Sequence, residues 1–176
     1  MPKREEAGTV LVWGVVVRLS HWLVAAIVLF NLFNDTGPVH RYAGYVAAGA
    51  VLLRVIYGLS RARDDAAHLG LPSWVAIRQH LHELRQRQVH RTLGHNPVGM
   101  LMALLLWALV LALGVTGWMT QLDAWWGEDW LINTHEYLAW ALQACVLGHW
   151  AGVLVMSWLQ QENLAKAMVT GRKPRL

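Results

Sequence analysis

Four long apolar stretches alternate with polar segments along the chain. The stretches cover roughly residues 11–33, 40–59, 97–119 and 135–159. A transmembrane helix needs about 20 predominantly apolar residues to cross a hydrocarbon core about 30 Å thick, and each stretch is long enough. Because the links 34–39 and 120–134 are short, the pattern predicts an all-α integral membrane protein in which four transmembrane helices form an up-down bundle.

The first stretch carries polar residues near its centre, which helps to decide whether it is a cleaved signal peptide or a retained membrane span. Arg18, Ser20 and His21 interrupt it. The apolar region of a secretory signal peptide is shorter, at about 7–15 residues. We therefore expect residues 11–33 to be retained as the first membrane span.

The long segment between the second and third stretches contains a shorter helical pattern. Ser73, after Pro72, is a good N-cap. Apolar residues then recur at helical spacing, with basic residues between or beyond them: Trp74, Ile77, Leu81 and Leu84, and Arg78, Arg85 and Arg87. This pattern predicts a short interfacial helix on the inner leaflet. The histidines of this segment are expected to be solvated or to face headgroups: His68, His80, His82, His90 and His95.

Composition agrees with a membrane protein and excludes two kinds of site. The chain of 176 residues is 56% hydrophobic and only 15% charged, whereas soluble domains average about 25% charged residues. We expect a single domain over residues 1–176 and no nucleic-acid partner. The one cysteine, Cys145, allows neither a disulfide framework nor covalent haem attachment through C-x-x-C-H.

The distribution of basic residues predicts the topology. Twelve of the fifteen Lys and Arg residues fall before the first span, between the second and third, or after the fourth. By the positive-inside rule these segments and both termini are cytoplasmic. The opposite loops carry Arg41 against five acidic residues, Asp35, Asp123, Glu128, Asp129 and Glu136. Four tryptophans typical of a membrane interface lie on the same side: Trp118, Trp125, Trp126 and Trp130.

Four histidines lie within or at the ends of the spans. His135 and His149 are fourteen residues apart, so they share one helix face about 21 Å apart along the axis. Depth along the antiparallel helices places His21 with His149 in the inner half and His40 with His135 at the outer edge. Two facing imidazoles at one level are typical of axial ligation of haem iron between helices. The pattern therefore predicts an inner and an outer haem.

These histidines could also have roles other than haem ligation. A single histidine inside a span is more often a packing or proton-relay residue. Zinc would need three or four ligands at one level. Four histidines that pair by depth favour haem over both.

Neighbouring residues fit the same hypothesis with less specificity. Arg54 follows His40 by fourteen residues on a helix of the same direction, so it should point inward at the inner level and could neutralise a haem propionate. Arg18 is a second candidate, although either arginine could extend to the headgroups instead. Three glycines would let a macrocycle approach the backbone or simply let helices pack: Gly44, Gly148 and Gly152.

The chain also resembles a known family. Six motifs carry the resemblance: R-L-S-H-W (18–22), H-R-Y-A-G-Y (40–45), G-H-N-P-V-G (94–99), T-H-E (134–136), L-G-H-W (147–150) and M-V-T-G-R-K (168–173). They are similar to the bacterial cytochrome b561 family, which includes the b-type cytochrome subunits of membrane hydrogenases and formate dehydrogenases. The resemblance implies a four-helix, di-haem b protein of the bacterial inner membrane that exchanges electrons with quinone. It places the haem ligands on His21, His40, His135 and His149.

The resemblance further suggests a quinone site near the inner haem. Some relatives bind quinone beside an asparagine at the start of the third helix, and Asn96 matches that position. A buried amide can hydrogen-bond a quinone oxygen. Asn96 before Pro97 is equally a helix-start signal. His95 is a candidate proton carrier.

These observations predict a membrane electron carrier between the quinone pool and a periplasmic redox partner, with a c-type cytochrome as the expected partner. The first alternative is a superoxide oxidase that passes electrons to quinone. It ranks second because such a site should be ringed by cations, whereas the outer loops are net acidic. The second alternative is a haem-free membrane anchor.

Overall fold

The computed structural model describes residues 8–62, 65–86, 91–92 and 94–175. Its elements in chain order are β1 (Thr9–Leu11), α1 (Val15–Phe33), α2 (Gly37–Leu59), α3 (Trp74–Arg85), α4 (Pro97–Met119), a short 3-10 turn (Asp123–Trp125), α5 (Asp129–Leu159), α6 (Leu164–Thr170) and β2 (Arg172–Pro174). Several residues used in the charge and loop predictions lie outside the described residues: Lys3, Arg4, Arg63, Arg87 and His90.

Four helices are long and apolar enough to cross a membrane, namely α1, α2, α4 and α5. The prediction of an all-α bundle with four membrane helices is therefore confirmed. The third span begins and ends at the predicted residues, Pro97 and Met119. Pro97 suits the first helical turn because its missing N–H has no partner to lose there.

The predicted start of the first span is wrong by four residues. Helix α1 begins at Val15, after Gly14. Residues 9–11 instead form β1, which pairs antiparallel with β2 so that Val10 lies opposite Lys173. A short apolar run is equally compatible with a strand and a helix, and only the distant β2 decides between them.

The second and fourth spans start earlier than predicted. Helix α2 begins at Gly37 rather than His40, with a proline in its first turn. Helix α5 begins at Asp129 rather than His135 and runs for 31 residues, or about 46 Å at 1.5 Å per residue. That length exceeds the hydrocarbon thickness of about 30 Å, so α5 extends beyond the apolar stretch. Asp129 in its first turn complements the helix dipole.

Each membrane helix packs against the next one along the chain. Helix α1 packs on α2, α2 on α4, and α4 on α5, whereas α1 and α5 make no comparably close contact in the described residues. The central core contains Ala47, Val51, Leu109, Val110 and Leu142. The helices α2 and α4 approach closely, because a Cβ on Gly114 would lie 2.8 Å from that of Ala48. The open side between α1 and α5 is where two of the four histidines face each other.

The two ends of the chain meet at one end of the bundle, which we call the terminal end. There β1 pairs with β2, and Trp13, Val17, Ala67 and Ala167 form a second buried cluster. Arg91 Nε donates to Glu162 at 2.7 Å, and its other nitrogens donate to the carbonyl oxygens of Pro174 and Arg175. This network ties the segment before α4 to the C-terminal segment. Which side of the membrane the terminal end faces stays a prediction.

The predicted loop helix is present as α3, and the Ser73 side chain accepts a hydrogen bond from the Ala76 N–H at 3.1 Å. Helix α3 packs against α4. His80 is buried, so the expectation that it is solvated is wrong. It lies three residues after the buried Ile77, and the two share the inward face of the helix. His82 is exposed as expected.

Candidate functional site

The four histidines of the spans lie in two pairs. The ring centres of His21 on α1 and His149 on α5 are 6.4 Å apart, with planes at 52°. Those of His40 on α2 and His135 on α5 are 6.2 Å apart, with planes at 70°. We call His21 and His149 the inner pair and His40 and His135 the outer pair. These are the two pairs that depth along the helices predicts. The role of the four histidines as haem ligands stays a prediction.

The ring separations fit a metal ion held between two imidazoles. A metal–imidazole bond of about 2 Å on each side, with the ring centre about 1 Å beyond the nitrogen, separates the ring centres by about 6 Å. No group of three or more His, Cys, Asp or Glu residues suited to a metal occurs in the described part of the chain. Two ligands at each level suit a haem, whose porphyrin supplies the remaining iron ligands, better than they suit zinc.

The outer pair has hydrogen bonds that select the ring nitrogen available to a metal. His40 Nδ1 lies 2.8 Å from the Asn34 carbonyl oxygen, and because a carbonyl only accepts, Nδ1 carries the proton. His135 Nδ1 lies 2.8 Å from Thr116 Oγ1. The Thr116 hydroxyl donates to the Ala112 carbonyl at 2.9 Å, so it accepts from His135 Nδ1. Both Nε2 lone pairs are thus left available, the arrangement that orients metal-ligating histidines.

Sequence reasoning missed the α4 residues that support His135. Thr116 bonds its ring, and a Cβ on the adjacent Gly117 would lie 3.3 Å from His135 Cε1. Glycine therefore lets the imidazole lie close against α4. A polar threonine followed by a glycine is unusual in so apolar a span. This pair was the sequence feature that could have indicated a contact with His135.

The inner pair has a different environment. His21 Nδ1 is buried without a hydrogen-bond partner, as are Arg18 Nε, Arg54 Nη1 and His95 Nδ1. Buried polar nitrogens are costly in free energy when they are left unpaired. An anionic group beside either guanidinium would give its unpaired nitrogen an acceptor. The propionates of a haem are such a group, so the residues present fit it.

Arg54 points into the bundle, as the fourteen-residue spacing predicts. It is only 5% exposed and belongs to the buried stripe of α2 formed by Ala47, Val51, Arg54 and Gly58. Its Nη2 donates to the Ala67 carbonyl oxygen at 3.2 Å. Its guanidinium also lies 5.3 Å from the Trp107 ring centre, a cation–π distance.

Arg18 is held by the C-terminal segment. Its Nη1 donates to the Val169 carbonyl oxygen at 2.7 Å, and Trp22 Nε1 donates to that of Met168 at 3.3 Å. These residues flank His21 in α1. The two contacts fix the His21 region of α1 against α6, and they satisfy part of the Arg18 guanidinium without lipid headgroups.

Asn96 is the N-cap of α4, and its Oδ1 accepts a hydrogen bond from the Gly99 N–H at 2.6 Å. Its amide N–H groups and the second lone pair of Oδ1 are left for a ligand. The neighbouring His95 packs 4.7 Å from Trp13, ring centre to ring centre. Removal from water, with Arg54 and Lys173 nearby, lowers the pKa of His95 to about 4. His95 is therefore half-buried rather than freely solvated as expected, because packing against Trp13 encloses its Nδ1.

A cavity of about 710 Å³ opens beside His95 at the terminal end. Polar side chains on its wall come from the end of α2 and the following loop, namely Tyr57, Arg61, Asp65 and His68. The Ala67 N–H donates to Asp65 Oδ1 at 2.7 Å, and Arg61 Nε donates to Oδ2 at 2.7 Å. These bonds lower the pKa of Asp65, so this wall carries a fixed ion pair.

The three glycines proposed to admit a macrocycle have few neighbours. A Cβ on Gly44 would have only Asn31 Nδ2 within 4 Å, at 3.9 Å, and one on Gly148 only Met102 Cε, at 3.6 Å. At Gly152 nothing lies within 4 Å. None of the three is needed for the close helix contacts, in contrast to Gly114.

Comparison with known proteins identifies the family of this chain. No curated protein and no solved structure matches it. A family model described as prokaryotic cytochrome b561 matches residues 12–171, which include both histidine pairs and all four membrane helices. That family consists of membrane electron-transfer proteins that bind haem b. The chain belongs to the prokaryotic cytochrome b561 family.

Proposed function

We propose that this protein binds two b haems, one at each histidine pair, and carries electrons between the quinone pool and a periplasmic redox protein. The observation that carries the proposal is the pair of ring separations, 6.4 Å and 6.2 Å, at two levels of one bundle. Both spacings suit a bis-histidine haem. The levels are about 21 Å apart along α5, so together they span much of a hydrocarbon core about 30 Å thick.

The protein and the cofactor have separate tasks in this proposal. Haem iron supplies reversible one-electron transfer when bound, and the protein sets its potential through ligands, hydrogen bonds, burial and charge. Asn34 and Thr116 orient the outer imidazoles. Arg54, fourteen residues after His40 on α2, provides a buried cation for the inner level. The apolar core of α2, α4 and α5 lies between the levels and excludes water.

The terminal-end cavity is the proposed quinone site. Its volume of about 710 Å³ lies in the range of small-molecule sites, about 300–1,000 Å³. His95 lines it and packs against Trp13 at the terminal end. A neutral imidazole there can accept a proton from a quinol. Asn96 is adjacent in the chain but has its amide oxygen engaged as the N-cap.

The opposite end of the bundle is the proposed docking surface for the periplasmic partner. Five exposed carboxylates lie there, on Asp35, Asp123, Glu128, Asp129 and Glu136. Arg41 is the one basic residue of those loops, and its guanidinium donates to the Gln121 side chain. Charge complementarity raises the association rate with an oppositely charged protein. A c-type cytochrome with a basic face fits this surface, whereas the superoxide anion does not.

Haem stoichiometry tests the proposal. A pyridine haemochromogen assay on the purified protein, with a dithionite-reduced minus oxidised spectrum, should give b-type bands and about two haems per chain. A value of one haem per chain would exclude one of the two histidine pairs as a haem site. A colourless protein would support the haem-free anchor, which membership of a haem b family disfavours.

Electron exchange needs its own assay. The reduced protein should be oxidised by a basic c-type cytochrome and reduced by a short-chain quinol, and the quinol reaction should slow when His95 is replaced by Leu. Quinone reduction driven by superoxide, with no reaction towards cytochromes, would favour the superoxide oxidase instead.

A further inference from the structure

The guanidinium of Arg54 lies directly against a glycine of its own helix. A Cβ added to Gly58 would lie 2.7 Å from Arg54 Nη1. The same Cβ would lie 3.1 Å from the Ala67 carbonyl oxygen and 3.1 Å from Leu69 Cβ. Residues four apart on a helix are neighbours on one face, so any larger residue at position 58 competes with Arg54 for this space.

The same glycine anchors the loop that Arg54 contacts. The Leu69 N–H donates to the Gly58 carbonyl oxygen at 3.1 Å, and Arg54 Nη2 donates to the Ala67 carbonyl oxygen. Asp65 closes the loop by accepting from the Ala67 N–H at 2.7 Å. The loop therefore folds back over the end of α2, and the guanidinium fills the space beneath it.

Arg54 is a fixed charge because several contacts determine its position. Its side chain is bounded by the Trp107 ring, by Ala67 and by Gly58. No carboxylate forms an ion pair with it within 4.0 Å among the described residues. Asp65 acts on Arg54 by its charge but is itself bonded to Arg61. Because little solvent screens a buried cation, the Arg54 charge also acts over a longer range.

We propose that Gly58 is a positioning residue that holds the Arg54 charge at the inner haem site and so raises the reduction potential of that haem. This inference rests on the proposed function. A cation stabilises the form with the extra electron, so moving it away favours the oxidised form. The guanidinium is the flexible end of a long side chain. A methyl group at position 58 should therefore displace it more readily than it unfolds the helix.

The test is a redox titration of purified holoprotein carrying Gly58→Ala. We expect the equilibrium constant for reducing the inner haem to fall about threefold, or about 28 mV, since a tenfold change corresponds to 59 mV for a one-electron couple. The outer haem should keep its potential and serve as an internal control. Gly49→Ala is the matched control, because Gly49 is on the same helix and nothing lies within 4 Å of its added Cβ.

A double-mutant cycle separates an effect through Arg54 from a general one. In an Arg54→Met background Gly58→Ala should change neither haem, since the group that it displaces is gone. Equal shifts in both backgrounds would overturn the proposal, as would an unchanged inner potential in Gly58→Ala alone. A Gly58→Ala protein that folds only when Arg54 is also replaced would support it. One that misfolds in both backgrounds would contradict it.

A second readout does not require haem. In the purified protein as isolated, Gly58→Ala and Arg54→Met should both speed trypsin cleavage after Arg61, because the loop loses its contact with Arg54, and Gly49→Ala should not. Unchanged cleavage in both variants would contradict the positioning role. Absence of haem from the wild-type protein would instead refute the proposed function, so the two failures are distinguishable.

Discussion

The inner and outer histidine pairs have nearly the same ring separation but differ in what surrounds them. Each outer imidazole has a hydrogen-bond partner, Asn34 for His40 and Thr116 for His135. The inner His21 Nδ1 has none, and buried nitrogens of Arg18 and Arg54 lie unpaired at the same end. The comparison indicates two ways of building similar sites, one through oriented ligands and the other through fixed charge.

This difference has a functional consequence if both pairs bind haem. Hydrogen bonds to ligating histidines raise ligand basicity and fix ring orientation. A nearby cation favours the reduced state. The inner haem should then have the higher potential of the two, and it should be reduced first in a redox titration.

The largest expected effect comes from removing a ligand. His21→Ala or His149→Ala should abolish the inner haem and leave the outer one, and His40→Ala or His135→Ala should do the reverse, because each pair occupies its own level. Haem per chain should fall from about two to about one, measured by haemochromogen assay and low-temperature difference spectra.

His82→Ala is the control for the ligand series, since His82 is exposed on α3. If His40→Ala and His21→Ala removed the same spectral component, the assignment of pairs to separate levels would be wrong.

Thr116→Val should weaken only the outer haem. It removes the acceptor for His135 Nδ1–H but keeps the shape of the side chain, and loss of such a partner typically costs about 10–100-fold in metal affinity. Haem retention during dilution or competition with apomyoglobin measures this. Thr120→Val is the matched control at the end of the same helix, because the Thr120 hydroxyl hydrogen-bonds the Gly117 carbonyl and its neighbour Gln121 instead of a histidine. An equal loss of both haems would show that Thr116 acts on the bundle as a whole.

Arg54→Met should lower the potential of the inner haem alone. The equilibrium constant for reducing the inner haem should fall about tenfold, which is the effect of one unit charge at about 12 Å in surroundings of effective dielectric about 20. Redox titration followed by absorbance would measure it. Arg41→Met, at the opposite end, is the control. A larger shift in the outer haem than in the inner one would invert the comparison drawn here.

The smallest expected effect concerns docking at the outer side. Neutralising Asp123, Glu128 and Asp129 should slow oxidation by a basic c-type cytochrome several-fold at low salt, and the wild-type rate should fall as ionic strength rises. Stopped-flow absorbance measures both. Neutralising Glu83 on α3, at the other end, is the control. Rates that depend neither on salt nor on these residues would exclude electrostatic docking and leave the haem assignments untouched.

Apolar length and residue spacing determined the coarse architecture without reference to the structure. The four membrane helices follow from four stretches of about 20 apolar residues, because backbone groups in a bilayer must be satisfied within a helix. The inward direction of Arg54 follows from its fourteen-residue offset from His40, since nearly four helical turns return a side chain to the same face. These properties are local or periodic, and they can be read from one segment at a time.

Tertiary structure decided what depends on contacts between distant segments. Residues 9–11 became a strand because Arg172–Pro174 lies beside them, and His80 and His95 became enclosed because α4 and Trp13 pack against them. Thr116 and Gly58 showed no role until the ring of His135 and the guanidinium of Arg54 lay against them. Hydrogen-bond partners and close approaches depend on where separate helices meet. The periodicity within a single helix cannot predict those contacts.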